Sequence, residues 1–357
     1  MTSGKNKTTI KTMNMKYIVY IYFILFVTGL ISCSNDTRDF DNFDYQSVYF
    51  SYQFPVRTIT FGEDEFDNTL DNEGKFRIYA TTGGVYESNK DVFIDFVVDN
   101  TLTADLLFEE GGVDILPLPL NYYELSSNKI TISEGGIVGS VDVQLTDAFF
   151  NDPLAIKNNY VLPVRMTNVI NADTILSGKT DLTNPNRSIA SDWSIAPKDF
   201  TLYGIKYVNQ WHGNYLRRGK DIITGKNGNA NLDKTKIRHG EYVEDDEVKK
   251  LETESMTQVF FPLKLQDEGG NDFISDLILT FDDNGDCTVS AAQSGYTATG
   301  TGSFIKKGAI KAWGNKDRDV LYLDYEIDHQ DIHVVTKDTL VIRDRAVGIE
   351  TYTPVLK

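Results

Sequence analysis

Tyr160-Val161-Leu162-Pro163-Val164-Arg165-Met166 alternates with a period of two. Tyr160, Leu162, Val164 and Met166 fall on one face, and Val161, Pro163 and Arg165 on the other. Extended backbone sends successive side chains to opposite faces, so this is a strand. Pro163 has no N–H to give to a ladder, which predicts an edge position or a bulge. Upstream, shorter runs of the same kind recur: Val48-Tyr49-Phe50, Arg57-Thr58-Ile59-Thr60-Phe61, Phe76-Arg77-Ile78-Tyr79-Ala80, Val92-Phe93-Ile94-Asp95-Phe96, Lys129-Ile130-Thr131-Ile132 and Ser140-Val141-Asp142-Val143. Gly83-Gly84, Gly111-Gly112 and Gly135-Gly136 punctuate them as turns. About seven short strands without a helical period predict an immunoglobulin-like antiparallel β-sandwich over residues 46–170.

Downstream, residues 171–198 break the alternation. Thr183-Asn184-Pro185-Asn186-Arg187-Ser188 is turn chemistry, so the segment reads as a linker, with Trp193 packed at the junction. Strands resume from Thr201-Leu202-Tyr203-Gly204-Ile205, and residues 199–357 form the second expected module. Only Asp246 to Glu254 could make a helical turn. Asp283-Asn284-Gly285-Asp286 lies between two strand runs, and Asn-Gly suits a type I′ hairpin. Sequential hairpins predict a meander, closed into an antiparallel barrel that removes its edges, or else a second open sandwich. The fold class expected is therefore all-β.

At the other end, Lys11 and Lys16 precede the apolar run from Tyr17 to Val27, followed by Gly29-Leu30-Ile31-Ser32-Cys33. This is the layout of a secretory signal over residues 1–32, too short to be a typical spanning helix. Leu30-Ile31-Ser32-Cys33 resembles a lipobox, which makes Cys33 the expected lipid anchor. Residues 33–45 are polar and acid-rich, a flexible tether. The expected location is the outer membrane, lipid-anchored and facing outward. The chain's net charge is −17, and removing the four lysines of residues 1–32 takes it to −21. So acidic a body repels phosphate backbones and anionic lipid, which excludes nucleic acid and leaves the anchor as the membrane contact. With Cys33 acylated, Cys287 has no disulfide partner and is expected as a small buried hydrophobe.

Asp147-Ala148-Phe149-Phe150-Asn151-Asp152-Pro153-Leu154 and Tyr160-Val161-Leu162-Pro163-Val164-Arg165 are similar to a Bacteroidetes surface lipoprotein family. Tyr52-Gln53-Phe54-Pro55-Val56-Arg57 and Gly83-Gly84-Val85-Tyr86-Glu87 share in that resemblance, which spans roughly residues 45 to 169. The family's N-terminal module is immunoglobulin-like and also precedes family 18 glycoside hydrolase domains. The resemblance implies a polysaccharide-utilisation setting and carries no binding residue to this chain. Trp211-His212-Gly213-Asn214-Tyr215 followed by a meander resembles lipocalin-like C-terminal modules of the same phylum.

Motifs of catalysis are missing: no Gly-x-Ser-x-Gly elbow, phosphate loop, dinucleotide fingerprint, His-Glu-x-x-His or Asp-x-x-Asp-x-Asp-x-Glu strand occurs. No cofactor is expected. The carboxylate run from Glu63 to Glu73 lacks EF-hand spacing and reads as a solvated loop. His329 and His333 share a strand face but lie about 13 Å apart at four residues, too far for one ion. What remains is non-catalytic glycan binding near outer-membrane importer components. The candidate platforms are Trp313, in a loop, with Trp211, Tyr215 and Tyr296, and of the tryptophans Trp211 weighs more towards the core. A structural or adhesive lipoprotein contacting other proteins is the first alternative. A glycosidase with an unrecognised carboxylate pair is the second.

Overall fold

Eight strands build the first module: β1 (Ser47–Tyr49), β2 (Pro55–Thr60), β3 (Lys75–Gly83), β4 (Val92–Val98), β5 (Lys129–Ile132), β6 (Val138–Leu145), β7 (Tyr160–Ile170) and β8 (Phe200–Val208). The computed structural model describes residues 43–63 and 66–357. The signal peptide, Cys33 and most of the tether therefore lie outside the described residues. One sheet runs β1-β3-β6, with short strands Thr174–Ile175 outside β1 and Tyr123–Leu125 outside β6. The other runs β2-β8-β7-β4-β5, with Glu350–Thr351 on the outer edge of β2. Val48, Ile78, Ile94, Ile130, Val143, Leu162 and Val164 meet between the sheets with no exposed surface. Each such side chain contributes about 1.5–3 kcal/mol over remaining in water. The alternation that opened the argument holds: Tyr160, Leu162, Val164 and Met166 all enter this core. At the Asp147–Leu154 corner, Asp152 accepts from Tyr122 Oη at 2.9 Å and from Tyr160 Oη at 2.5 Å, pinning the corner to the 3-10 turn Leu120–Tyr122 and to the start of β7.

Three expectations are corrected. Pro163 is not on an edge, since β7 lies between β8 and β4. The ladder tolerates it because its carbonyl accepts from Asp99 N at 3.0 Å, just past the end of β4. The missing N–H faces the same place, where the neighbouring strand has run out. The boundary at residue 199 also moves, because β8 pairs with β7 and, in parallel, with β2. Its sequence is apolar on both faces: Ile205 and Tyr207 enter the inter-sheet core, Phe200 and Leu202 a second cluster on the sheet's other side. A strand covered on both faces belongs inside a sheet. Residues 171–198 are likewise not a free linker. Leu176 N donates to Val48 O, Phe50 N to Lys198 O, and Lys179 bridges Ile195. Trp193 packs within this stretch, its Nε1 donating to Asn186 O at 2.8 Å.

The second module is a closed antiparallel barrel: β9 (Gly213–Gly225), β10 (Glu247–Thr253), β11 (Gln258–Phe261), β12 (Leu277–Phe281), β13 (Asp286–Ala291), β14 (Thr297–Ala309), β15 (Arg318–Asp328) and β16 (Ile332–Asp344). β16 returns to β9 along a ladder from Asn214↔Asp344 to Gly225↔Ile332, which closes the wall. A further strand, Lys234–Arg238, continues the pairing on β9 beyond β10. The stretch from Asp246 to Glu254, a possible helical turn by sequence, is mostly β10. The Asp283–Gly285 hairpin is not type I′, because only Gly285 takes a positive φ, +87°. Asp282 Oδ1 accepts from Asn284 N and Asp286 N, which fixes a three-residue loop closed by glycine.

The barrel interior is apolar around Leu251, Val259, Leu279, Leu321, Ile327 and Val334. One region is ionic. Buried Arg217 donates to Asp338 at 2.9 Å, Tyr325 Oη donates to the same carboxylate at 2.8 Å, and Arg238 bridges Asp338 and Asp221. Thr336 completes it by donating to Asp221 at 2.9 Å. After β16 the chain returns to the first module. Glu350–Thr351 lies on β2, and Val355–Leu356 pairs with Leu106–Leu107. Arg345 fastens the crossing, donating to the carbonyls of His212, Phe61 and Asn209 at 2.7–2.9 Å.

Candidate functional site

The four aromatic residues singled out by sequence do not share a site. Trp211 is 3% exposed and stacks on Phe281 at 4.1 Å, and Tyr215, 1% exposed, donates to the Trp211 carbonyl at 2.9 Å. Both are core, so neither presents a face to a ligand. The reason is position: the Trp-His-Gly-Asn-Tyr stretch enters β9, where inward residues fill the barrel. Tyr296 is buried against His329, with ring centroids 4.9 Å apart, and its hydroxyl donates to Asp276 O. Trp313 keeps some exposure. However, its Nε1 donates to Ile342 O at 2.9 Å and the Arg318 guanidinium lies 3.7 Å from its ring centroid, so one face is occupied.

A depression of about 980 Å³ lies elsewhere, on five consecutive strands, β12 to β16. Its lining follows the register. Thr280, Thr288, Thr301, Asp324 and Lys337 are successive cross-strand partners in one row. Asp286, Ser303, Tyr322 and Thr339 form the next row, with Asp282 at its end. Between the rows lie Phe281, Cys287, Gly302, Leu323 and Asp338, directly paired across the sheet. Four of these five side chains are buried in the barrel, whereas Asp282, Asp286, Thr288, Thr301, Tyr322, Asp324 and Lys337 are exposed. The exposed side chains among them put the rim of the depression on the outside of the barrel.

Gly302 shapes its floor. A Cβ there would lie 2.4 Å from Leu323 Cδ2, 2.5 Å from Tyr322 O and 2.8 Å from Cys287 Sγ. Its absence lets β14 and β15 approach and the sheet bend inward, the usual meaning of glycine inside a strand. Cys287, behind the floor, is the buried hydrophobe expected from sequence, and burial pushes its thiol up to about 12.

Tyr322 is the aromatic platform of this surface, 44% exposed. Asp324 and Lys337 pair beside it at 2.6 Å, both largely exposed. Such a pair is worth at most about 1 kcal/mol, so it can open to a ligand. Sequence reasoning passed over Tyr322 although a signal exists. In Leu321-Tyr322-Leu323-Asp324-Tyr325-Glu326 the period of two puts one tyrosine on the polar face beside two acids.

Elsewhere, a polar pocket of about 420 Å³ on the first module holds Arg165 and Arg187. Both are committed to the chain's own carboxylates, Asp99 at 2.8 Å and Asp199 at 3.0 Å. The acidic run is not simply solvated. Asp71 is buried and accepts from Arg57 and from Thr60 N at 2.9 Å. His329 meets Ser275 Oγ at 2.8 Å and His333 meets Asp328 at 3.2 Å. No group of three or more His, Cys, Asp or Glu that could hold a metal occurs among the described residues. None of their helices is long and apolar enough to cross a membrane.

A family model for a domain of unknown function, DUF5627, matches residues 210–346, the span of the barrel. A model described as an N-terminal domain matches residues 41–173. Among solved structures, a Bacteroides ovatus protein of unknown function is 44% identical, over 88% of this chain and 100% of that one, with a TM-score of 0.84. A Bacteroides ovatus multidomain protein including DUF1735 is 12% identical over 86% of this chain and 100% of its own, with a TM-score of 0.41. Another of unknown function from the same species is 13% identical over 86% and 100%, with a TM-score of 0.38. No curated protein matches.

Proposed function

We propose, from the premise that this chain belongs to the family of the Bacteroides ovatus protein of unknown function that it resembles over 88% of its length, that it is a glycan-binding protein. The observation that carries the reading is the groove on β12–β16: one exposed tyrosine face ringed by hydroxyls, carboxylates and a lysine. Pyranose rings present C–H faces that stack on an aromatic ring and hydroxyl edges that hydrogen-bond with Asp, Thr and Lys. An open, polar-rimmed depression with one aromatic anchor suits that ligand better than an apolar partner does. The chain acts by capture rather than catalysis. Asp282 is committed to two backbone N–H groups of its own hairpin. The signal layout and Cys33 support a lipid-anchored position on the outer membrane, facing outward, and the family resemblance supports a polysaccharide-utilisation setting beside importer components.

The test is a glycan screen of the protein lacking residues 1–33, by affinity gel and calorimetry, with released sugar assayed in parallel. Binding without release is expected, and Tyr322→Ala weakens it at least about tenfold, the scale of a lost aromatic stacking partner. Trp211→Phe leaves it unchanged. Binding indifferent to Tyr322 removes the groove from the proposal. Release of sugar replaces capture by hydrolysis, and a lack of any binding turns the reading to contacts with other proteins.

A further inference from the structure

The shape and charge of the groove narrow its ligand, and this step rests on the glycan-binding reading above. The lining crosses five strands but spans only two outward positions along each. At roughly 4.8 Å between strands and 3.3 Å per residue, that is about 19 Å across the strands and about 7 Å along them. A pyranose chain is about as wide as one ring and advances about 5 Å per unit, so the long axis takes about four units in single file. The narrow axis leaves no room for a branch at those units. Charge sets the second limit: Asp282, Asp286 and Asp324 face the groove against Lys337 alone. Carboxylated or sulfated sugars would meet like charge at short range, on a body already strongly acidic. Tyr322 stands on β15, the fourth of the five strands, so its stacking subsite lies towards one end.

We infer that the groove binds an uncharged, unbranched oligosaccharide lengthwise across the strands, about four units at a time, anchored off-centre on Tyr322. Affinity then grows with chain length until the groove is filled. Thr288, exposed on the second strand, lies towards the end remote from the tyrosine, and a large side chain there shortens the groove without touching the anchor.

The experiment is calorimetry of the protein lacking residues 1–33 with gluco- and manno-oligosaccharides of two to six units, and with oligogalacturonides of the same lengths. In at least one neutral series, affinity is expected to rise tenfold or more from two to four units and less than twofold from four to six. Oligogalacturonides bind at least tenfold more weakly than neutral chains of equal length. Thr288→Trp lowers affinity for four units towards that for two. Tyr322-dependent binding that does not change with length overturns the lengthwise reading and leaves glycan binding standing. Equal or tighter binding of oligogalacturonides overturns the neutral assignment in the same way. Failure of every series to bind overturns the glycan reading itself.

Discussion

His212 lies between the two modules, 8% exposed, with its Nδ1 accepting from Thr253 N at 3.1 Å and its carbonyl accepting from Arg345. Burial holds the imidazole neutral and pushes its pKa down to about 4, helped by Lys250, Arg345 and Lys206. The unfolded chain takes up this proton near pH 6.5, and the folded chain takes it up only near pH 4. The resulting stability is therefore present above pH 6.5, is lost progressively as pH falls, and is gone below about 4. The full swing is about 3 kcal/mol. Denaturant titrations at pH 7 and 4.5 should show that slope reduced in His212→Asn, which keeps an acceptor for Thr253 but cannot titrate. An unchanged slope would remove His212 from the account. At this scale the sequence was legible for Cys287 and for the inward residues of β7, whose period says which side is core. For Trp211 it favoured the core without deciding it, and for Tyr215 it pointed the wrong way. A tryptophan's size and polarity are the same in a core as on a platform, and only the barrel's closure decides between them.

Strand β14 carries the curvature on which the groove depends. Gly302 has no space for a methyl group, with a neighbouring carbonyl as well as two side chains in the way. Gly302→Val should cost about 1–3 kcal/mol through overpacking and flatten the depression. Glycan affinity should then fall more than stability alone explains, which thermal melts and calorimetry on the same variant separate. Unaltered affinity in a destabilised variant would show that the floor does not shape the site. Strand existence was readable along most of the chain from period and glycine punctuation. Strand partnership was not, and β8 is the instructive failure. Its apolar pattern on both faces marks a central strand, but not which sheet holds it, because that follows from pairings with β2 and β7 that are remote in sequence. The hairpin at Asp282–Asp286 failed for a local reason. Asn-Gly permits type I′, but the Asp282 carboxylate captures two N–H groups and selects the longer loop.

The molecule as a whole is bracketed: the barrel leaves the first module after β8 and the chain comes back through Arg345 to finish the sandwich. Tyr352 packs against Phe108 and Phe54, with centroids 4.8 and 5.8 Å away, and donates to Leu202 O at 2.7 Å. Removing residues 349–357 should cost about 3–5 kcal/mol, the scale of a lost aromatic core residue, and bare the edge of β2. A melt showing the first module destabilised and prone to self-association, with the barrel little changed, would bear this out. Unaltered stability would mean that the return is ornamental. This arrangement also sets an order of events. A ribosome delivers residues from first to last, so most strands of the sandwich emerge long before the tail that seals it. Through that interval β2 stands as an open template, and the chain's earliest domain is its last to be completed.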